Sequence, residues 1–406
     1  MKKNMALHFF AVLLMLAGTL PATARDNCTS AIISRFAAQS GAPMLWKNRD
    51  TGVRSNKIVL VDEKPYRYLA LVNSNDASGR ICYAGLNEAG FGIMNTASYN
   101  LPEKPGELKD LEGFLMADAL RKCRTIADFE KLITVNLGRN LGVEANFGVI
   151  DANGNAMLFE IYNHGYKTFD PAAAPGKYLI NTNFSRSGKP GKGAGYMRFQ
   201  RATKLFAGLT GKPVRPEDIL HRFSRDTGNM LVNQPSFEDF SQLPTQPDTW
   251  ISTKNSIDKF YTSACVVLVG KNPEHPELPA TLWVIPGEPL TAVAIPLWVQ
   301  AGRVPDILWK GEKAAMWEAS AKLKAIIRPY RKGNMHDYLR INKLDNRDHS
   351  GYLPALLKTE TRIFKETAAF MKNAHTPVEL AQFQQKMATL AMGALRRAAT
   401  AQVEVK

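Results

Sequence analysis

Arg25-Asp26-Asn27-Cys28-Thr29-Ser30-Ala31-Ile32-Ile33-Ser34 and, ten residues on, Met44-Leu45-Trp46-Lys47-Asn48-Arg49-Asp50 decide how this chain folds. From Cys28 to Ser34 the first stretch reads as a strand that opens on its cysteine. Gln39-Ser40-Gly41-Ala42-Pro43 is a turn, and Met44 to Asp50 reads as the returning strand. A hairpin brings the end of its second strand back to the start of its first. Asp50 is therefore expected beside Cys28.

Upstream of the cysteine the chain has the three parts of a secretory signal: Lys2 and Lys3, a mostly apolar run from Met5 to Leu20, and the small-x-small site Ala22-Thr23-Ala24. Cleavage after Ala24 leaves Arg25-Asp26-Asn27 as a short propeptide. Its removal would place a thiol and a free α-amine on one residue. The thiol attacks, and the amine, with an ordinary pKa near ~8, takes its proton. Two other uses of Cys28 stay open at this point: half of a structural disulfide, or a lipid attachment site. Lipidation fits poorly with the charged and polar Arg25, Asp26 and Asn27.

Further blocks follow in order. They are Gly85-Leu86-Asn87-Glu88-Ala89-Gly90-Phe91-Gly92-Ile93-Met94-Asn95, Leu179-Ile180-Asn181-Thr182-Asn183-Phe184 and Tyr196-Met197-Arg198-Phe199. The last pair is Tyr261-Thr262-Ser263-Ala264-Cys265-Val266-Val267 and Thr281-Leu282-Trp283-Val284-Ile285-Pro286-Gly287. With the Cys28-Thr29 opening, this succession resembles the N-terminal-nucleophile cysteine amide hydrolases of the choloylglycine hydrolase, penicillin V acylase and isopenicillin-N acyltransferase group. The resemblance implies Cys28 as nucleophile and Asp50 as the carboxylate that holds its amine. It implies Asn183, with Asn95 or the backbone around Gly85, at the oxyanion; a shift of register would put Ala97 in the place of Asn95. Lys47 stands where relatives carry arginine, and lacks arginine's rigid fork. Either Lys47 fills that role loosely, or a bulged strand end lets Arg49 fill it. The late arginine of bile-salt hydrolases has no counterpart assigned around Asn255 to Lys259.

The chain has 406 residues, 45% hydrophobic, with a formal net charge of +15. Its basic residues are scattered, and no recognition motif accompanies them. That argues against nucleic-acid binding and for a solvated surface that meets an anionic envelope or substrate. Beyond the leader no apolar run is long enough for a membrane span. Cys82, Cys123 and Cys265 complete the cysteines; Cys82 and Cys265 read as buried strand residues, and a Cys82–Cys123 bridge stays open. No His-Glu-x-x-His, Cys/His metal spacing, phosphate loop or Gly-x-Ser-x-Gly elbow is present, so neither a metal nor a cofactor is expected. Asp151-Ala152-Asn153-Gly154-Asn155 imitates a calcium loop but sits between two strands and reads as a turn.

Strand-like runs fall at 28–34, 44–50, 57–61, 67–73 and 80–84, helices at 108–122 and 126–137, a hairpin at 146–161, helices at 196–208 and 215–223, and strands again at 262–270, 280–286 and 291–297. That succession predicts an α+β fold, two sheets face to face with helices outside, which is the four-layer αββα sandwich the resemblance implies. Beyond residue 305 three helical segments follow, the last opening on the capping box Thr376-Pro377-Val378-Glu379. They are expected to pack as a layer on the sandwich, a dimer interface or a lid. The expected organisation is a signal peptide (1–24), a propeptide (25–27), the sandwich (28–305) and a helical extension (306–406). The expected activity is a secreted or periplasmic cysteine amidase that acts on a linear, non-peptide small-molecule amide, with an acyltransferase, a dipeptidase or a non-enzymatic binding protein as alternatives. A homo-oligomer is an open possibility.

Overall fold

A computed structural model describes residues 27–76 and 78–404. The signal peptide and Arg25-Asp26 lie outside them. The strands are β1 (Thr29–Ile33), β2 (Met44–Asp50), β3 (Asn56–Val61), β4 (Tyr68–Asn73), β5 (Ala84–Asn87) and β6 (Gly92–Ala97), then β7 (Glu144–Ile150), β8 (Ala156–Tyr162), β9 (Gly165–Phe169) and β10 (Tyr178–Asn181). After these come β11 (Trp250–Ser252), β12 (Thr262–Val269), β13 (Thr281–Ile285), β14 (Ile295–Leu297) and β15 (Tyr338–Arg340). The α-helices are α1 (Glu112–Lys122), α2 (Ile126–Asn136), α3 (Tyr196–Ala207), α4 (Ala315–Ile327), α5 (Leu353–Phe370) and α6 (Pro377–Glu404).

Two large antiparallel sheets result, beside a small antiparallel pair of β11 and β15. One runs β10-β1-β2-β12-β13-β14, the other β3-β4-β5-β6-β7-β8-β9. They pack face to face through β1 and β2 against β6, β7 and β8. Strand alternation explains the layering. On β4, Leu69 and Leu71 join the core between the sheets. Tyr68, Ala70 and Val72 point the other way and join the core under α1 and α2. In that outer core Phe129 meets Phe159 edge-on at 5.1 Å between ring centroids. Both faces are covered, so even antiparallel strands are buried throughout, as β1 and β2 are. Gly148 lies on the face of β7 turned to the first sheet, where a Cβ would lie 2.5 Å from Met94 Cε and 2.8 Å from Ile32 Cγ1, so a larger residue must push those side chains aside.

The helices α4, α5 and α6 pack onto the first sheet and share its core through Leu323, Leu356, Ile363, Met387 and Leu395. A buried ion pair fastens them: Arg225 Nη2 meets Glu360 Oε1 of α5 at 2.8 Å, and neither side chain is exposed. Arg225 follows a π-helical turn, Asp218–Arg222. The regular helix expected over 215–223 is thus replaced by a π turn and a 3-10 turn. Thr376 and Glu379 cap α6 reciprocally, Thr376 N donating to the carboxylate at 2.8 Å.

Other expectations are corrected. The run 80–84 is not a strand. Cys82 lies in the loop before β5, its N–H donating to Gly113 O at 3.1 Å, because the chain there turns onto the start of α1. Cys82 and Cys123 are both free, so no bridge joins them, and Cys265 is free as well. The Asp151 loop is a turn. Asp151 Oδ1 accepts from Asn153 N and Asn155 N, the carboxylate serving the backbone. Strands β6, β9 and β10 lie outside the runs expected to be strands. Among the described residues no helix is long and apolar enough to cross a membrane.

Candidate active site

The ladder between β1 and β2 sets Thr29 opposite Asn48 and Ser30 opposite Lys47. One step beyond, Asn27 N donates to Asp50 O at 3.3 Å. Cys28 therefore stands at the mouth of the central hairpin, only 2% exposed. Its Sγ lies 3.8 Å from the Asp50 backbone oxygen. The hairpin of 22 residues does bring the cysteine and aspartate together.

The Asp50 carboxylate is buried and held from two sides. Thr262 Oγ1 donates to Oδ1 at 2.7 Å, and Lys259 Nζ approaches Oδ2 at 3.0 Å. Lys259 also donates to the carbonyl oxygen of Asn27 at 3.3 Å. One ammonium thus touches both the carboxylate and the carbonyl of the Asn27–Cys28 bond. Burial, and then the positive charge of Arg198, pull the Lys259 pKa down to about 8, with Asp50 opposing.

Arg198, near the start of α3, is buried and spans the other side. Its Nη1 donates to Cys28 O at 2.5 Å and to Thr29 Oγ1 at 2.9 Å, and its Nη2 to Asn183 Oδ1 at 2.8 Å. That last bond fixes the Asn183 carboxamide with its nitrogen turned toward β6, where Nδ2 donates to Ala97 O at 2.9 Å. Asn183 is thereby joined to the cysteine through a single guanidinium.

Lys47, Arg49 and Asn95 line the inner face beside this group. Lys47 Nζ donates to Asn95 Oδ1 and to Tyr83 O, both at 2.8 Å. Arg49 lies over the Tyr83 ring at 3.5 Å. It donates to Asn56 and, at 2.7 Å, to Asn73 Oδ1. The two cations are two residues apart on β2 and share a face. The bulge considered for this strand end falls instead on its neighbour β12, between Thr262 and Ala264. Gly85 lies in the ladder between Ala70 and Ile93, its open side filled by Leu120 of α1. It therefore faces the helix layer and not the space between the sheets.

Burial pushes the Cys123 and Cys265 thiols up to about 12 and the Cys82 thiol higher still. These three are small apolar core residues, unsuited to thiolate chemistry near neutral pH. No cluster of metal-ligating side chains occurs among the described residues.

No protein-family model and no curated protein matches the sequence. In three dimensions the chain is similar to an N-acylethanolamine-hydrolyzing acid amidase ortholog from Caenorhabditis elegans, at 13% identity and a TM-score of 0.39, over 60% of this chain and 92% of that one. It is similar to a penicillin V acylase from Agrobacterium tumefaciens at 14% identity and a TM-score of 0.40, over 67% and 86% of the two chains. A variant of conjugated bile acid hydrolase from Clostridium perfringens matches at 10% identity and a TM-score of 0.38, over 67% and 92%.

Proposed function

We propose that the chain is an exported, self-processing cysteine amidase that hydrolyses a linear, non-peptide amide of a small molecule. The observation that carries this reading is the contact of one ammonium, Lys259, with both Asp50 and the carbonyl before Cys28. In processing, the Cys28 thiolate adds to the Asn27 carbonyl carbon, and Lys259 supports the oxyanion. The Asn27 C–N bond breaks as the Cys28 nitrogen takes a proton. Water then cleaves the resulting thioester, releasing the propeptide acid, the thiol and a free α-amine.

In turnover that amine is the base. It takes the thiol proton, held in place by Asp50, and Cys28 attacks the substrate carbonyl. Asn183, fixed by Arg198, donates to the oxyanion. The protonated amine passes its proton to the leaving nitrogen, a thioester forms, and water releases the acid. Lys47 and Arg49 hold the inner face around Asn95 and Tyr83 and thereby support the site.

Mixing the processed protein with a panel of acyl amides and quenching early tests this by mass. The expected result is an acyl adduct on the Cys28 peptide, alkali-labile as a thioester is. Asp50→Asn should fold and lose most of the acylation rate, about 100-fold or more. An Asp50→Asn protein that acylates at the normal rate would remove Asp50 from the mechanism.

A further inference from the structure

Where helix α4 meets the ends of β2 and β12, a cleft of about 240 Å³ opens to solvent. That is room for roughly eight waters, enough for a small molecule. Its rim carries Arg54, Lys313 and Arg331, its floor Thr262, Ser263 and Lys324, and Trp317 forms one wall. The one acidic group lining it is Glu288. That charge is already matched, by Lys324 Nζ at 2.7 Å and by Arg328 Nε at 2.7 Å.

The rim cations are not matched. Among the described residues Arg54 is placed against Phe260, its Cζ 4.7 Å from the ring centroid, and Lys313 lies 5.7 Å from the Trp317 ring. Neither these two nor Arg331 meets a carboxylate there. Partial burial, and then the Arg331 charge, pull the Arg54 pKa below arginine's ordinary value. The two guanidiniums line one cleft and carry like charge, and among the described residues neither is paired with a carboxylate. Such an arrangement costs stability in the empty protein and is relieved by a bound anion.

We propose that this cleft is a binding site for a small multivalent oxyanion, a phosphate or a short dicarboxylate, clasped by the planar forks of Arg54 and Arg331 with Lys313 closing over it. Guanidinium forks match the paired oxygens of either group. The site is built jointly by the sandwich and by α4, which gives the helical extension a role beyond covering the sheet. Its floor residue Thr262 also donates to the Asp50 carboxylate, but binding here does not depend on the amidase reading.

Titration calorimetry of the purified full chain at constant ionic strength, with inorganic phosphate and separately with succinate, tests it. Saturable binding of one anion per chain is expected with at least one of the two. Tighter phosphate binding identifies a compact anion, tighter succinate binding two spaced carboxylates. Arg331→Gln and Lys313→Gln, both at exposed positions, should each weaken binding about tenfold, and Arg54→Gln at least as much. Lys204→Gln with Lys212→Gln removes two charges from another exposed surface and should leave the affinity unchanged. Arg331→Gln should also leave the anion-free melting temperature level or raise it, because it relieves repulsion. Binding that does not saturate, that is absent with both anions, or that falls equally in the Lys204/Lys212 control would overturn the proposal.

Discussion

At the scale of single residues, Lys259 makes the sharpest claim. Its ammonium is present below about pH 8 and lost as pH rises through that value. Support for an oxyanion on Asn27 should disappear with it, so self-cleavage of the precursor should slow above about pH 8. The stability sign is opposite. The folded-state value is depressed, so between about 8 and lysine's ordinary ~10.4 the unfolded chain binds more protons, and folding gains as pH rises through that window. Falling cleavage beside rising stability separates an electrostatic role from simple unfolding. Lys259→Met should slow cleavage about 100-fold, the usual cost of a lost oxyanion donor. The time course of intact mass across pH reads the cleavage, and urea unfolding over the same pH range reads the stability. Cys28 and Asp50 were legible in the sequence because 22 residues and one turn connect them. Lys259 was not: it reaches Asn27 across 232 positions and has no local pattern that separates it from the other basic residues. Arg198 was picked out within the block Tyr196-Met197-Arg198-Phe199, but its reach to Cys28 across 170 positions was not. Asn95 and Lys47 were each named from the sequence, but the hydrogen bond between them was not foreseen, because strand alternation gives a face and no distance.

Elements with a complete local signal were read well: the apolar runs of β7, β8 and β12, and helix α2, which Thr125 caps and which buries Phe129 and Ile133. Elements shaped by their neighbours were read poorly. The π turn at Asp218–Arg222 exists where Arg225 must reach Glu360, a constraint set by α5 far along the chain. Two stability predictions belong at this scale. Gly148→Val should force β7 away from Ile32 and Met94 and cost about 3 kcal/mol or more in urea unfolding. Glu360→Ala leaves Arg225 buried without its carboxylate and should cost about 3–5 kcal/mol. Glu366→Gln, which breaks a pair with Arg362 on the exposed side of the same helix, should change stability little. Equal losses at Glu360 and Glu366 would contradict the anchoring role given to the buried pair.

Across the whole molecule, the two-sheet sandwich was foreseeable from the order of strands, helices and strands, and the position of Cys28 at its central hairpin followed. How the C-terminal helices attach was not, because a helical pattern shows which face is apolar without showing what covers it. They complete the core of the first sheet, and α4 also walls a cationic cleft beside the strand that carries Asp50. The reading as a whole depends on one covalent event, the loss of Asn27 from Cys28. Intact mass of the protein purified after export, beside its Cys28→Ala variant, tests that event directly. The account predicts a native chain that begins at Cys28 and a variant that keeps Arg25-Asp26-Asn27. A native chain that begins at Arg25 and cleaves its amide substrate at full rate would contradict it.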